Sequence, residues 1–175
     1  MMSSEVDHVN LNKRIEAYYR GERISNAALF LIGGGAITWS FLLFYWRQGH
    51  LSSGFFFSAL PLGLFFIISG GYRFYRSFKR YGDTVNSITK EGYFENKEVP
   101  LLQSRILRFQ QKRNVNTAGL IIGFIGCIAI IFLKMNHVFL GTSVSITIFS
   151  AFLLAFDLFG QFRVEEYLHY LKKTF

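Results

Sequence analysis

The sequence predicts an all-α, four-span helical membrane bundle made of two parallel helical-hairpin repeats with cytoplasmic amphipathic helices. Three observations predict it. Apolar residues gather into four long blocks, basic residues collect outside those blocks on one side, and short patches of the first half recur in the second. The apolar fraction is 51% and only 17% of residues are charged, yet the net charge is +8. Soluble domains carry about 25% charged residues. A soluble nucleic-acid binder would spread its Lys and Arg over a hydrophilic surface instead.

The first block, "ISNAALFLIGGGAITWSFLLFYW" at 24–46, carries no charge. The others cover 51–72, 115–133 and 138–162, and Asp157 in the last is the one acid among them. A helix crosses about 30 Å of hydrocarbon in about 20 residues, a length that all four blocks reach. Each central Leu, Ile, Phe or Val favours insertion by about 0.3–0.6 kcal/mol, and each central charge costs about 2.5–3.5. A soluble bundle would need four helices apolar on every side.

Charge then sets direction. Residues 1–23 hold four Lys/Arg, the 73–114 connection ten and the tail 163–175 three, against Arg47 and Lys134 in the two short turns. Positive residues stay on the cytoplasmic side. Both termini and the connection are therefore expected in the cytoplasm, with the turns "RQGH" and "KMNH" outside. Tyr45 and Trp46 sit where an interfacial aromatic belt belongs. The membrane expected is the bacterial inner membrane, or the endoplasmic reticulum in a eukaryote. The first 23 residues are too polar for a signal core, so the first span is expected to act as an uncleaved anchor. "MMSS" offers no myristoylation site, and no prenylation box is present. Lys172 and Lys173 in "KKTF" resemble a dilysine retrieval signal, although topology alone demands a basic tail.

The stretch "GGYRFYRSFKRYGD" at 70–83 leaves the second span on the basic side. At 100° per residue Phe74, Phe78 and Tyr81 share one face, and Arg73, Arg76 and Arg80 the opposite one, with Lys79 on its border. The expectation is an interfacial helix or an extension of the span, its aromatics at the acyl boundary and Arg73, Arg76, Lys79 and Arg80 toward lipid headgroups. Nucleic acid would want the aromatics beside the cations, not across from them.

Two halves resemble each other. "LNKRIEAY" (11–18) matches "LQSRILRF" (102–109) at an offset of 91, and "NAALFLIG" (26–33) matches "NTAGLIIG" (116–123) at 90. "RQGHLSSG" (47–54) and "KMNHVFLG" (134–141) share basic-x-x-His-apolar-x-x-Gly at 87. Both copies enter from the same side, so they are parallel repeats with an axis along the membrane normal. Residues 82–100, with Gly82, Gly92 and Pro100, link them, and Asp83 is placed to cap a short helix through "TVNSITKE".

Inside lipid, helices associate through small residues. Gly119 and Gly123 make a GxxxG pair, with Gly126 near the same face. Ser143, Thr147, Ala151 and Ala155 form an i, i+4 stripe, and Gly33 to Gly35 a smooth patch. Pro61 should kink the second span. These contacts are expected within the monomer, and a homo-oligomer is the next use.

Chemistry finds little to work with. Asp157 is the candidate intramembrane acid, one turn from the basic end and within expected reach of headgroup water or Arg163; a structural contact with another span and proton or ion handling are the alternatives. His50 and His137 occupy equivalent turn positions, but zinc needs three or four protein ligands. Cys127, in lipid, is expected to be inert. "IGGGAI" lacks the Lys and Ser/Thr of a phosphate loop. No nucleophile–base pair, paired carboxylates or dinucleotide fingerprint is visible, so no catalytic residue, no metal site and no cofactor is assigned, and an enzyme is not expected. What remains is a non-enzymatic polytopic membrane protein acting through helix–helix contacts as an accessory, scaffold or immunity-type protein. Its expected partners are the bilayer and another membrane protein or itself, with no nucleic acid. The alternative is a small channel or carrier using the symmetric interface, lined by such residues as Ser40, Ser58, Ser145 and Thr147.

Overall fold

A computed structural model describes residues 2–46, 49–88, 90, 92–133 and 136–174, with side chains from Asn10 onward. Its elements are α1 (Met2–Trp46), α2 (His50–Val85), a five-residue π-helical turn (Phe94–Glu98), α3 (Val99–Phe132) and α4 (His137–Thr174). All are helical, and each of the four long helices contains a stretch apolar and long enough to cross a membrane. At 1.5 Å per residue even the 34 residues of α3 reach about 51 Å, well beyond a hydrocarbon layer of about 30 Å. Four antiparallel passes put both chain ends and the α2–α3 connection at one end of the bundle, the basic end, and the two short turns at the other.

Burial favours lipid as the solvent. In the most apolar window of each helix no more than 28% of residues are buried in the protein. Ile121, Ile122, Phe124, Ile125 and Ile131 of α3 are all at least half exposed. Apolar faces of this size would drive association in water but are ordinary in hydrocarbon. Tyr45 and Trp46 end α1 about four-fifths exposed, as a pair at the bilayer edge would be.

Helix α1 packs on α2 and α3 on α4, and the two hairpins meet through α2 and α4, with a lighter α1–α4 contact. Without a hydrophobic drive inside lipid, close backbone approach has to hold these helices together. Glycines supply it. A Cβ at Gly33 would lie 2.7 Å from the Gly63 carbonyl oxygen, and one at Gly70 2.9 Å from the Phe30 nitrogen, so α1 and α2 touch through their backbones. At the turn end Gly54 lies against the backbone of Val138, and Gly141 against that of Leu51. Farther along, Phe66 and Phe149 meet edge to face at 5.1 Å, with Leu62 and Leu153 packed around them.

The glycines of the GxxxG pair face α4. Gly119 lies against Ser150, Gly123 against Thr147 and the Ser143 carbonyl, and Gly126 against Ser143, which joins α3 to α4. Ala151 and Ala155 are exposed instead. Helix α2 runs on through Pro61, itself exposed.

At the basic end no separate interfacial helix stands among the described residues, and of the two alternatives expected for 70–83 the chain takes the extension of the span. Residues 10–23 continue into the first span as one helix, and 73–85 continue the second. The reason is a second core beyond the apolar spans. Leu11, Ile15 and Tyr18 from α1, Leu102, Ile106 and Phe109 from α3, and Val164, Leu168 and Leu171 from α4 bury one another there. The apolar stripes thus find each other rather than a lipid surface. Among the described residues the separate short helix expected from Asp83 is not seen. Asp83 lies inside α2, whose end is closed when the Asn86 N–H donates to the Gly82 carbonyl (3.0 Å), and 86–88 form turns. Gly92 takes φ +69°, a conformation that L side chains rarely adopt, before the chain winds into the π-helical turn. Arg47 and Lys134, the two cations assigned to the outer turns, lie outside the described residues.

Gly141→Leu is expected to wedge α2 from α4 and lower unfolding stability by about 1–3 kcal/mol or more. Gly34→Leu should leave stability nearly unchanged, because a Cβ there meets nothing within 4 Å. Unfolding by sodium dodecyl sulfate from mild-detergent micelles, followed by circular dichroism, compares the two.

Candidate functional site

Between the two cores lies a cleft of about 280 Å³ to which all four long helices contribute. Its wall toward the spans carries Leu29 and Phe156 from the membrane core, and its wall toward the chain ends Tyr18, Phe109 and Val164 from the basic-end core. Helical spacing brings the polar residues together. Arg73, Arg76 and Arg80 recur at i, i+3, i+7 on α2, and Arg105, Arg108 and Lys112 repeat that spacing on antiparallel α3. With Arg163 of α4, seven cationic side chains face the cleft against two carboxylates, Glu22 and Asp157.

The carboxylates are already engaged. Arg105 donates from Nη1 to the Tyr18 hydroxyl (2.6 Å) and to Glu22 (3.3 Å). Asn116 donates from Nδ2 to Asp157 (2.7 Å). Arg163 crosses to α1, where it donates to the Gly21 carbonyl and to the Ser25 hydroxyl (2.7 Å). Asp157 and Arg163 are six residues apart, which turns them to different sides of α4, so Asp157 reaches α3 rather than the Arg163 expected from sequence. Asp157 is 7% exposed. Among the described residues the only ion pairs within 4 Å are Arg105–Glu22 and the surface pair Arg14–Glu166. Six of the seven cations, Arg73, Arg76, Arg80, Arg108, Lys112 and Arg163, thus have no carboxylate that close among the described residues. Desolvation, with the neighbouring Arg73, pushes the Lys112 ammonium below its usual range.

A polar knot closes the basic end beside the cleft. The Tyr19 hydroxyl donates to Glu98 (3.2 Å) and shares a hydrogen bond with Thr84 (3.0 Å), which ties α1 to α2 and to the π-helical turn. Tyr18 stacks on Tyr167 with centroids 4.5 Å apart. Burial lifts the Glu98 carboxyl above its usual range; the Tyr19 bond opposes this, Glu22 adds to it and Lys97 opposes it.

The residues singled out from sequence scatter. Arg73, Arg76 and Arg80 line the cleft, whereas Lys79 is exposed and does not. Phe78 and Tyr81 receive the Arg23 guanidinium at 4.6 and 5.4 Å. His50 and His137 are exposed at the starts of α2 and α4, and no cluster of three or more His, Cys, Asp or Glu occurs among the described residues. Ser40, Ser58 and Thr147 donate to carbonyls of their own helices, and Ser145 to the Phe55 carbonyl across the α2–α4 interface. Sequence reasoning passed over Arg105, Arg108, Lys112 and Asn116. The repeated cation spacing on the second and third helices was the available signal.

Comparison with protein-family models, with curated proteins and with solved structures finds no match for this chain.

Two variants test this arrangement. Asn116→Leu leaves a buried carboxylate without its donor and should cost about 1–3 kcal/mol of unfolding stability. Glu98 titrates above its unfolded value of 4.5, so its favourable contribution is complete below that pH and is lost as pH rises through the folded pKa. Across that window the wild type should lose about 1.4 kcal/mol per pH unit relative to Glu98→Gln, and the variant should be the more stable at neutral pH. Unfolding midpoints measured against pH for both proteins give the difference.

Proposed function

We propose that this chain is a non-enzymatic polytopic membrane protein that acts through helix–helix contacts, as an accessory, scaffold or immunity-type protein. One observation carries the reading. Gly34 and Gly35, mid-span on α1, meet no atom within 4 Å of an added Cβ, whereas Gly33, Gly54, Gly70 and Gly141 are pressed against neighbouring backbone. Gly35 lies on the exposed face with Leu31, Thr38 and Leu42. A small-residue surface facing lipid lets another helix approach closely, which is how association proceeds there. Ala151 and Ala155 extend the α4 stripe in the same uncovered way. The immunity version rests on size and span number alone.

In this reading the hairpins are parallel repeats about an axis along the membrane normal. Support comes from reciprocal contacts at an offset of 87. Gly54 touches Val138 as Gly141 touches Leu51, and Leu62 and Phe66 correspond to Phe149 and Leu153 in one cluster. The helix starts correspond as well, at Gly49 and Asn136. The charge distribution supports placing the basic end in the cytoplasm, with the amphipathic extensions of α1 and α2 there.

Extraction of native membranes in mild detergent should yield the chain in an assembly, with a second copy or another membrane protein. Gly35→Leu should release it as a monomer of unchanged unfolding midpoint. Size-exclusion chromatography with light scattering and identification of co-purifying chains reads both results. A wild type that elutes as a lone chain would contradict the reading.

A further inference from the structure

The two hairpins differ in one respect. Helix α1 leans on α4, but the counterpart contact, between α3 and α2, is not made to a comparable extent. Residue identity explains this. Arg163 docks on the Gly21 carbonyl, close enough that a Cβ at Gly21 would lie 3.0 Å from the Arg163 side chain. At the offset of 87 the residue equivalent to Arg163 is Arg76, and at 91 the residue equivalent to Gly21 is Lys112. The second half thus carries a cation, Lys112, where the first has a glycine. Arg73 of α2 and Arg108 of α3 both act on the Lys112 charge, and like charges repel, the more so away from bulk water.

That side of the cleft collects cationic donors in excess of the carboxylates beside them. Arg73, Arg76 and Arg80 of α2 stand across from Arg105, Arg108 and Lys112 of α3. Arg105 Nη2 and Asn26 Nδ2, on residues of the same cleft, are buried hydrogen-bond donors with no acceptor among the described residues. Buried donors without acceptors cost about 1–3 kcal/mol each. Glu22 and Asp157 offset this excess only in part, since Arg105 holds Glu22 and the one charge of Asp157 is shared between Lys112 and Arg73. The cleft sits where the apolar spans give way to the basic end, bounded by Leu29 and Phe156 on the span side. At that depth the phosphates of a bilayer lie beside the protein, and basic pockets between spanning helices take anionic headgroups.

We propose that the cleft between α2 and α3 binds a phosphate group, whose oxygens accept from Arg73, Arg76, Arg108, Lys112, Arg105 Nη2 and Asn26 Nδ2. The phosphate bridges the two helices that otherwise repel and completes the bundle. Arginine suits the task because its planar fork presents paired donors to phosphate oxygens. A volume of about 280 Å³ admits a headgroup. A nucleic-acid strand would need an open groove that tracks its backbone. The ligand is thus a phosphate carried either by an anionic lipid or by a small free anion. The site does not depend on whether a second chain docks on α1.

The thermal unfolding midpoint of the detergent-purified chain, with lipid adducts counted by native mass spectrometry, tests the site. The probes are phosphatidylglycerol, phosphatidylcholine, inorganic phosphate, and chloride at equal ionic strength. Phosphatidylglycerol should raise the midpoint and remain bound, and chloride should not raise it. Arg73→Gln/Lys112→Gln should weaken the effect at least tenfold, and Lys79→Gln, outside the cleft, should preserve it. Stabilisation by phosphatidylglycerol alone identifies a lipid headgroup as the source, and an equal effect of inorganic phosphate identifies a free anion. The proposal is overturned if neither phosphate probe stabilises the wild type, or if the double variant responds as the wild type does. Should the double variant fail to fold, the wild type decides: equal effects of phosphatidylglycerol and phosphatidylcholine, with none from inorganic phosphate, overturn it.

Discussion

Hydrocarbon excludes charge, and the plan of this bundle follows from that exclusion. A cation at mid-span costs about 2.5–3.5 kcal/mol, so seventeen of nineteen Lys and Arg lie outside the spans at one end. Crowding them there creates a need. The same end must bury enough apolar surface to hold long helices together and give its polar groups partners. The second core does the first, with Leu11, Ile15, Leu102 and Leu171 at its centre. The Tyr18–Arg105–Glu22 and Tyr19–Glu98–Thr84 networks do part of the second. Arg73, Arg76, Arg80, Arg108 and Lys112 are left over, and they line the cleft.

Within the spans the opposite economy rules. Side-chain hydrophobicity cannot distinguish a neighbouring helix from a lipid tail, so contact is made by backbone at Gly33, Gly54, Gly63, Gly70 and Gly141. Positions 87 apart, the offset of the proposed repeat, carry different chemistry. Gly70 lets α1 come close at Asn26, whereas its counterpart at the offset of 87 is Asp157, which takes a hydrogen bond from Asn116. Ser77 and Thr84 are buried where α4 has Val164 and Leu171. The asymmetry that opens the cleft is of the same kind.

The four spans were legible because crossing hydrocarbon imposes a demand on each segment separately, and composition records it. The GxxxG contact of Gly119 and Gly123 was legible for a similar reason, since small residues four apart have few other uses in lipid. The continuity of α1 from its amphipathic start through its span was not. An apolar stripe at Leu11, Ile15 and Tyr18 looks the same whether it faces a membrane surface or another helix, and only the partner stripe at Leu102, Ile106 and Phe109 decides. Asp157 likewise required knowledge of which helix lies beside α4. The cleft was half visible. Arg73, Arg76 and Arg80 were recognised as one face, but the matching face of Arg105, Arg108 and Lys112 acquires meaning only once α3 is known to stand opposite α2.

Site-directed labelling bears most directly on the four crossings and their single basic shore. In a Cys127→Ser background, single cysteines replace Glu16, His50, Asp83, His137 and Lys172, all exposed, and intact cells meet a membrane-impermeant maleimide. Labelling at positions 50 and 137 without permeabilisation, and at 16, 83 and 172 only after it, is the predicted result. Labelling of 16 and 172 from opposite sides, or of 83 together with 50, would contradict it.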